Sequence, residues 1–121
     1  MKKINLGIIG CGYWGPNFVR NFSQMPGVRI AGICDMSPEK LAHIKHAYPA
    51  IPTYRNYNRL LKSNKLDAVI ISTPAATHYA ITKEALMDNK HVLVEKPISM
   101  KKEEAEELII LSDKVKKVLM V

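Results

Sequence analysis

A doubly wound α/β fold around a parallel sheet is the class that this 121-residue sequence predicts, and three observations predict it. An apolar run, Ile4-Asn5-Leu6-Gly7-Ile8-Ile9, leads straight into Gly10-Cys11-Gly12-Tyr13-Trp14-Gly15. A second apolar run, Val28 to Cys34, ends in Asp35, twenty residues beyond Gly15. Two later runs, Ala68-Val69-Ile70-Ile71 and His91-Val92-Leu93-Val94, are too apolar for half-exposed strands. They fit strands covered on both faces, as in a parallel sheet flanked by helices.

The remaining elements follow in order. Pro16 opens a helix with Phe18, Val19, Phe22 and Met25 at helical spacing, and Pro26-Gly27 stops it. After Asp35, Ser37-Pro38 supplies a cap and a first helical position, with Leu41, Ile44 and Ala47 turned inward. A short extended piece is expected at Thr53-Tyr54, then a helix from about Asn56 carrying Leu60 and Leu61. A fourth helix follows Thr77, with Ile81, Ala85 and Leu86 inward. The last helix runs from about Met100 to Ser112, with glutamates early and lysines late as its macrodipole favours. Val118 to Val121 then begins another strand, and this apolar end reads as the close of an N-terminal module of a longer enzyme.

Composition narrows the class. Apolar residues make up 47% and charged residues 24%, the balance of a soluble globular domain large enough for a single core. No segment approaches the length of a membrane span or forms a cleavable signal, so no membrane partner is expected. Two cysteines are too few for a disulfide framework, which points to a reducing, cytoplasmic setting. The net charge of +7 raises the question of nucleic acid. The lysines are scattered, however, and the clusters at Lys101-Lys102 and Lys114 to Lys117 flank four glutamates, so nucleic-acid binding is not expected. A positive field instead favours an acidic ligand. His43, His46 and His91 show no spacing with cysteine or carboxylate that would hold a metal.

The glycine turn, read with Asp35, describes the first unit of a Rossmann-type dinucleotide site. Gly10 permits the tight turn, Gly12 lets the backbone approach a pyrophosphate, and Gly15 lets the helix lie close to the strand. The helix N-terminus then offers N–H groups and partial positive charge to phosphate. Asp35 accepts from the adenosine ribose, or else only caps a strand end. A ribose phosphate at that place would meet a like charge, costing roughly 1–4 kcal/mol, and Met36-Ser37 brings no arginine to offset it. NAD is therefore expected over NADP, with Lys40 able to reach back. Ser72-Thr73-Pro74 through His78 and Glu95-Lys96-Pro97 follow the other two buried strands, so four strand ends should share one rim. Taken singly, Lys96 could be a solvated surface lysine, His78 a satisfied polar residue, Tyr54 and Tyr57 packing groups, Cys11 a small turn residue and Cys34 core.

Together, Gly10 to Gly15, Asp35, Thr73-Pro74 with His78, and Glu95-Lys96-Pro97 resemble the glucose–fructose oxidoreductase / inositol dehydrogenase (Gfo/Idh/MocA) family, over the whole chain. Only the nucleotide-binding half of such a protein is represented. The string Gly12-Tyr13-Trp14-Gly15-Pro16-Asn17 through Arg20-Asn21 is similar to the branch of nucleotide-sugar 3-dehydrogenases. The resemblance implies oxidation of a sugar or cyclitol secondary hydroxyl, or the reverse, with hydride exchanged with NAD. It implies that Lys96 is the proton-handling, catalytic residue, and that Glu95 lies near the nicotinamide ribose. Cofactor contacts are implied at Gly10, Gly12, Tyr13, Trp14, Gly15, Asp35, Ser72, Thr73, Pro74, His78, Glu95, Lys96 and Pro97. A free amine is a poor base near neutrality, so such a lysine needs partial burial or a cationic neighbour. Family members complete their site from a second domain, which implies that this chain alone does not turn over and that homo-oligomers form in the longer protein. Two alternatives stay open: a glycosidase of the same family that uses NAD for transient oxidation, and a stand-alone regulatory NAD-binding module.

Overall fold

Ile8 and Ile9 are neighbours in sequence and lie on opposite sides of a sheet, which sets the layering of the molecule. The computed structural model describes residues 2–12, 15–63 and 65–121. Its strands are β1 (Ile4–Ile9), β2 (Val28–Cys34), β3 (Thr53–Tyr54), β4 (Ala68–Ile71), β5 (His91–Val94) and β6 (Leu119–Met120). All pairings among them are parallel, in the order β3-β2-β1-β4-β5-β6. The helices are α1 (Gly15–Ser23), α2 (Pro38–Ala47), α3 (Tyr57–Leu61), α4 (His78–Met87) and α5 (Lys102–Val115). The expected doubly wound, Rossmann-type sheet is present.

Strand side chains alternate faces, so each face carries its own core, and a register irregularity opposite Leu6/Gly7 brings Ile30 and Ile33 of β2 onto the same one. Ile8, Ile30 and Ile33 pack with Val19 of α1 and with Leu41 and Ile44 of α2. On the opposite face Ile9, Ile71, Val92 and Val94 pack with Leu60 and Leu61 of α3, Ile81, Ala85 and Leu86 of α4, and Leu108 of α5. The run 68–71 is buried beyond its first residue, whereas in 91–94 only Val92 and Val94 are buried and His91 and Leu93 are partly exposed, so the second run, expected to be covered on both faces, is fully covered on one.

Local chemistry fixes the starts of α2 and α3. The Ser37 side chain accepts the Lys40 N–H at 3.3 Å and Pro38 opens α2; the Asn56 side chain accepts the Asn58 N–H at 2.8 Å before α3. Three expectations need correction. The first helix stops at Ser23, so Met25 falls in the following turn and is exposed. Ala47 is the last residue of α2 and is also exposed. The final helix is shifted to Lys102–Val115. Ser112 does not end it: its hydroxyl donates back to the Ile109 carbonyl at 2.8 Å, and the helix stops at Lys116, whose φ of 58° is left-handed.

Candidate dinucleotide site

Register places the candidate residues. Ile9 is paired with Cys34 on one side and with Ile71 on the other, and Ile71 is paired with Val94. The residues that follow these partners, Gly10, Asp35, Ser72 and Glu95, therefore stand in one row. Lateral bonds hold the row level: Gly10 N–H donates to the Cys34 carbonyl at 2.7 Å, Ser72 N–H to Ile9 at 2.8 Å and Glu95 N–H to Ile71 at 2.9 Å. The strand order reverses direction between β1 and β4, and in open parallel sheets ligands bind beyond the strand ends at this switch point.

A cavity of about 920 Å³ opens on this row, within the ~300–1,000 Å³ of ordinary small-molecule sites. Gly10, Gly12, Asp35, Ser72, Thr73, Pro74, His78, Glu95 and Lys96 all line it. The structure thus brings together the sequence candidates from all four strand ends. Pro97 is not among the lining residues; it follows Lys96 across a cis peptide bond. Tyr13 and Trp14 lie outside the described residues.

The fingerprint glycines divide into two kinds. Gly10 has a φ of 102°, and a Cβ there would come within 2.7 Å of the Ser72 backbone. A Cβ on Gly15 would collide with the Gly10 carbonyl oxygen. Both are glycine because the protein itself crowds them. Gly12 is different: the nearest atom to a Cβ there is the Ser72 carbonyl oxygen at 3.9 Å. The space above Gly12 is open to the cavity, a cradle that a Cβ would fill and that a phosphate can occupy.

Asp35 is already engaged. One carboxylate oxygen accepts the Cys11 N–H at 2.6 Å and the other accepts the Ser37 N–H at 2.8 Å. The side chain therefore ties the glycine turn to the start of α2 while lining the cavity, joining both readings of its role. Across the row, the Ser72 hydroxyl donates to the Gly10 carbonyl at 2.9 Å. The Thr77 hydroxyl lies 2.7 Å from that of Thr73 and 2.6 Å from the Pro74 carbonyl, which closes the turn leading into α4. His78 is buried, with ring nitrogens 2.7 Å from the Pro97 carbonyl and 2.8 Å from the Thr73 carbonyl, so its polar atoms face the protein. Lys96 is exposed at the rim, and within these residues it lacks the partial burial expected of a proton-handling lysine.

Both cysteines sit under the site as buried free thiols. Burial first, and then the Asp35 charge, pushes Cys11 up to about 12 and Cys34 up to about 11. A thiol so disfavoured as thiolate is a packing group, not a nucleophile. Tyr57 does both things that its position allows, packing on the core and lining the cavity. Arg55 also lines the cavity and was missed from sequence. Its signal was its place just past β3, the same strand-end rule that located Asp35, Ser72 and Glu95.

The family model described as "Oxidoreductase family, NAD-binding Rossmann fold", GFO_IDH_MocA, matches residues 4–121. A relative named glycosyl hydrolase family 109 protein 2, from Shewanella sp. (strain ANA-3), is 36% identical over 118 residues, which are 90% of this chain and 26% of that protein. An NAD-binding protein from Listeria innocua superposes with a TM-score of 0.90 at 32% identity, covering 99% of this chain and 35% of the other. KijD10, a 3-ketoreductase from Actinomadura kijaniata in complex with NADP and TDP-benzene, superposes with a TM-score of 0.90 at 25% identity, covering 98% of this chain and 37% of that one. The chain spans about a quarter of the length of the curated relatives that it matches. With the strand-end row, the open cradle at Gly12 and a family match over nearly its whole length, the chain belongs to the Gfo/Idh/MocA oxidoreductase family as an NAD-binding Rossmann domain.

Proposed function

We propose that the chain binds NAD along the row from Asp35 to Glu95 and serves as the cofactor domain of a sugar or cyclitol dehydrogenase. The observation that carries this reading is the register alignment of Gly10, Asp35, Ser72 and Glu95 around one cavity. Adenosine would sit between Asp35 and Tyr57, the pyrophosphate over Gly12, and the nicotinamide toward Thr73, Glu95 and Lys96. NAD supplies a hydride acceptor or donor when bound. The chain's own part is to hold the dinucleotide and to present the Lys96 amine at the rim, where a substrate hydroxyl could exchange its proton.

The Asp35 carboxylate favours a ribose hydroxyl over a ribose phosphate, which supports NAD over NADP. Lys40 and Arg55 line the same cavity and temper that preference. The NADP in the KijD10 complex shows that a relative accommodates the other cofactor. That relative's TDP ligand also makes a nucleotide sugar a candidate substrate class for this chain's parent reaction. A second reading, a glycosidase that oxidises its sugar transiently, is favoured by the family 109 names of the 36%-identical relatives. Both readings require NAD here and place substrate selection beyond these residues.

Calorimetric titration of the chain with NADH and NADPH tests the proposal. Saturable binding that favours NADH is expected. A folded chain that binds neither nucleotide overturns it.

A further inference from the structure

Both ring nitrogens of His78 face backbone carbonyl oxygens, Nδ1 at 2.7 Å from Pro97 and Nε2 at 2.8 Å from Thr73. A carbonyl oxygen can only accept, so both contacts are hydrogen bonds only when both nitrogens carry protons. A neutral ring would donate to one carbonyl and turn a lone pair toward the other at under 3 Å, inside a site where His78 is 1% exposed. The two carbonyls belong to different strand ends. Thr73 follows β4, and Pro97 closes the Glu95-Lys96-Pro97 turn after β5.

We propose that His78 is a positioning residue, a doubly donating brace that holds the turn carrying Glu95 and Lys96 at a fixed offset from the Thr73 turn. The inference rests on the reading of this cavity as the NAD site. Beyond their strands, the two turns are otherwise joined only where Glu95 N–H donates to the Ile71 carbonyl, among the described residues. Past Glu95 the chain leaves the sheet, and the His78 ring is what ties it back at Pro97. His78 is also the first residue of α4, whose positive end opposes a cationic ring. The two carbonyl dipoles offset that opposition by charge-assisted bonds. The charged groups that share the cavity lining with His78 are Glu95 and Lys96 of the turn that it holds, with Asp35, Lys40 and Arg55. Lys83 of α4 is paired with Glu107 of α5 at 3.2 Å.

The arrangement separates the two ends of the dinucleotide. The adenosine end depends on Asp35 and the glycine turn, which His78 does not touch. The nicotinamide end depends on the offset that His78 sets. A ligand that stops at the pyrophosphate should therefore be indifferent to the brace, whereas the whole dinucleotide should feel its loss.

Two measurements on the 121-residue chain decide the matter. In the first, a long-range 1H–15N spectrum of the labelled wild-type chain near neutral pH reads the histidine rings, with His78→Gln identifying the His78 signals. Protons on both nitrogens of His78 are expected, and one bare nitrogen overturns the doubly donating brace. In the second, NADH and ADP are titrated into wild type and into His78→Gln. Loss of a charge-assisted bond should weaken NADH by about tenfold, with ADP affinity unchanged. Equal losses for the two ligands in a folded variant, or none for either, overturn the positioning role. The ring spectrum needs no variant to fold, because the four histidines can also be assigned through their backbones. Wild type that binds neither ligand removes the NAD reading, while the ring spectrum still decides the brace.

Discussion

Asp35 accepts the backbone N–H of Cys11 at 2.6 Å, so the carboxylate offered to a ribose also holds the glycine turn in place. Its second oxygen accepts the Ser37 N–H at 2.8 Å, just before α2. One side chain thus links the ends of β1 and β2 to the first turn of the following helix. Truncation to alanine would remove ligand contact and turn support together, and could not separate them.

Asp35→Asn separates them better. The amide keeps one accepting oxygen and leaves the other N–H facing a donor, which should cost about 1–3 kcal/mol of stability. It also removes the charge that opposes a ribose phosphate. NADH should bind more weakly, and the ratio of NADPH to NADH affinity should rise. Denaturant melts with paired titrations check both halves. An unchanged ratio would show that Lys40 and Arg55, and not Asp35, set the choice of cofactor.

The two thiols give a stability prediction with a definite sign. An ordinary thiol titrates near 9.0, whereas Cys11 is pushed to about 12 and Cys34 to about 11, chiefly by burial. Above pH 9 the unfolded chain therefore gives up thiol protons that the native chain keeps. Stability is complete below that pH and falls as pH rises from about 9 to 12. A Cys11→Ala/Cys34→Ala double variant should show a shallower loss than wild type across this window, read from urea midpoints at successive pH values. Alkylating reagents should leave both thiols untouched in the native chain and label them once it is unfolded. Rapid native labelling of Cys11 would contradict the packing seen around it.

Most of the fold was legible because apolar periodicity and turn chemistry agree along this chain. Ser37-Pro38 and Asn56 each carry their own local signal, and the structure uses both as read, whereas the first helix ends at Ser23, before the Pro26-Gly27 expected to stop it. The last helix, expected to end at about Ser112, runs on to Val115, and the Ser112 hydroxyl bonds within it. The strand-end rim was legible for Gly10, Asp35, Ser72 and Glu95, since the strands before them announce themselves. Arg55 escaped because Thr53-Tyr54 was read only as a short extended piece, whereas it pairs with β2 as a strand of the sheet and so adds a further strand end to the rim. The engagement of His78 and Asp35 with backbone groups was beyond sequence reading. Residue type shows that a side chain can bond, while the fold decides which carbonyl or N–H stands opposite.

The glycine turn offers the sharpest separation of folding from binding. At Gly15 an added Cβ would run into the Gly10 carbonyl, which is backbone and cannot swing aside. Gly15→Ala should therefore destabilise the chain by about 1–3 kcal/mol, as overpacking does, with loss of binding following from the shifted turn. At Gly12 the same added methyl meets nothing nearer than 3.9 Å, and the backbone there is outside the left-handed region. Gly12→Ala should leave the melting temperature unchanged or raise it slightly, since alanine narrows the unfolded ensemble. The methyl would nevertheless occupy the space where a pyrophosphate must approach the backbone, and NADH affinity should fall by about tenfold or more. Thermal melts beside titrations of the two variants test the contrast. If Gly12→Ala bound NADH as wild type does, the phosphates would not lie over this turn, and the assignment of the pyrophosphate would have to move elsewhere along the row.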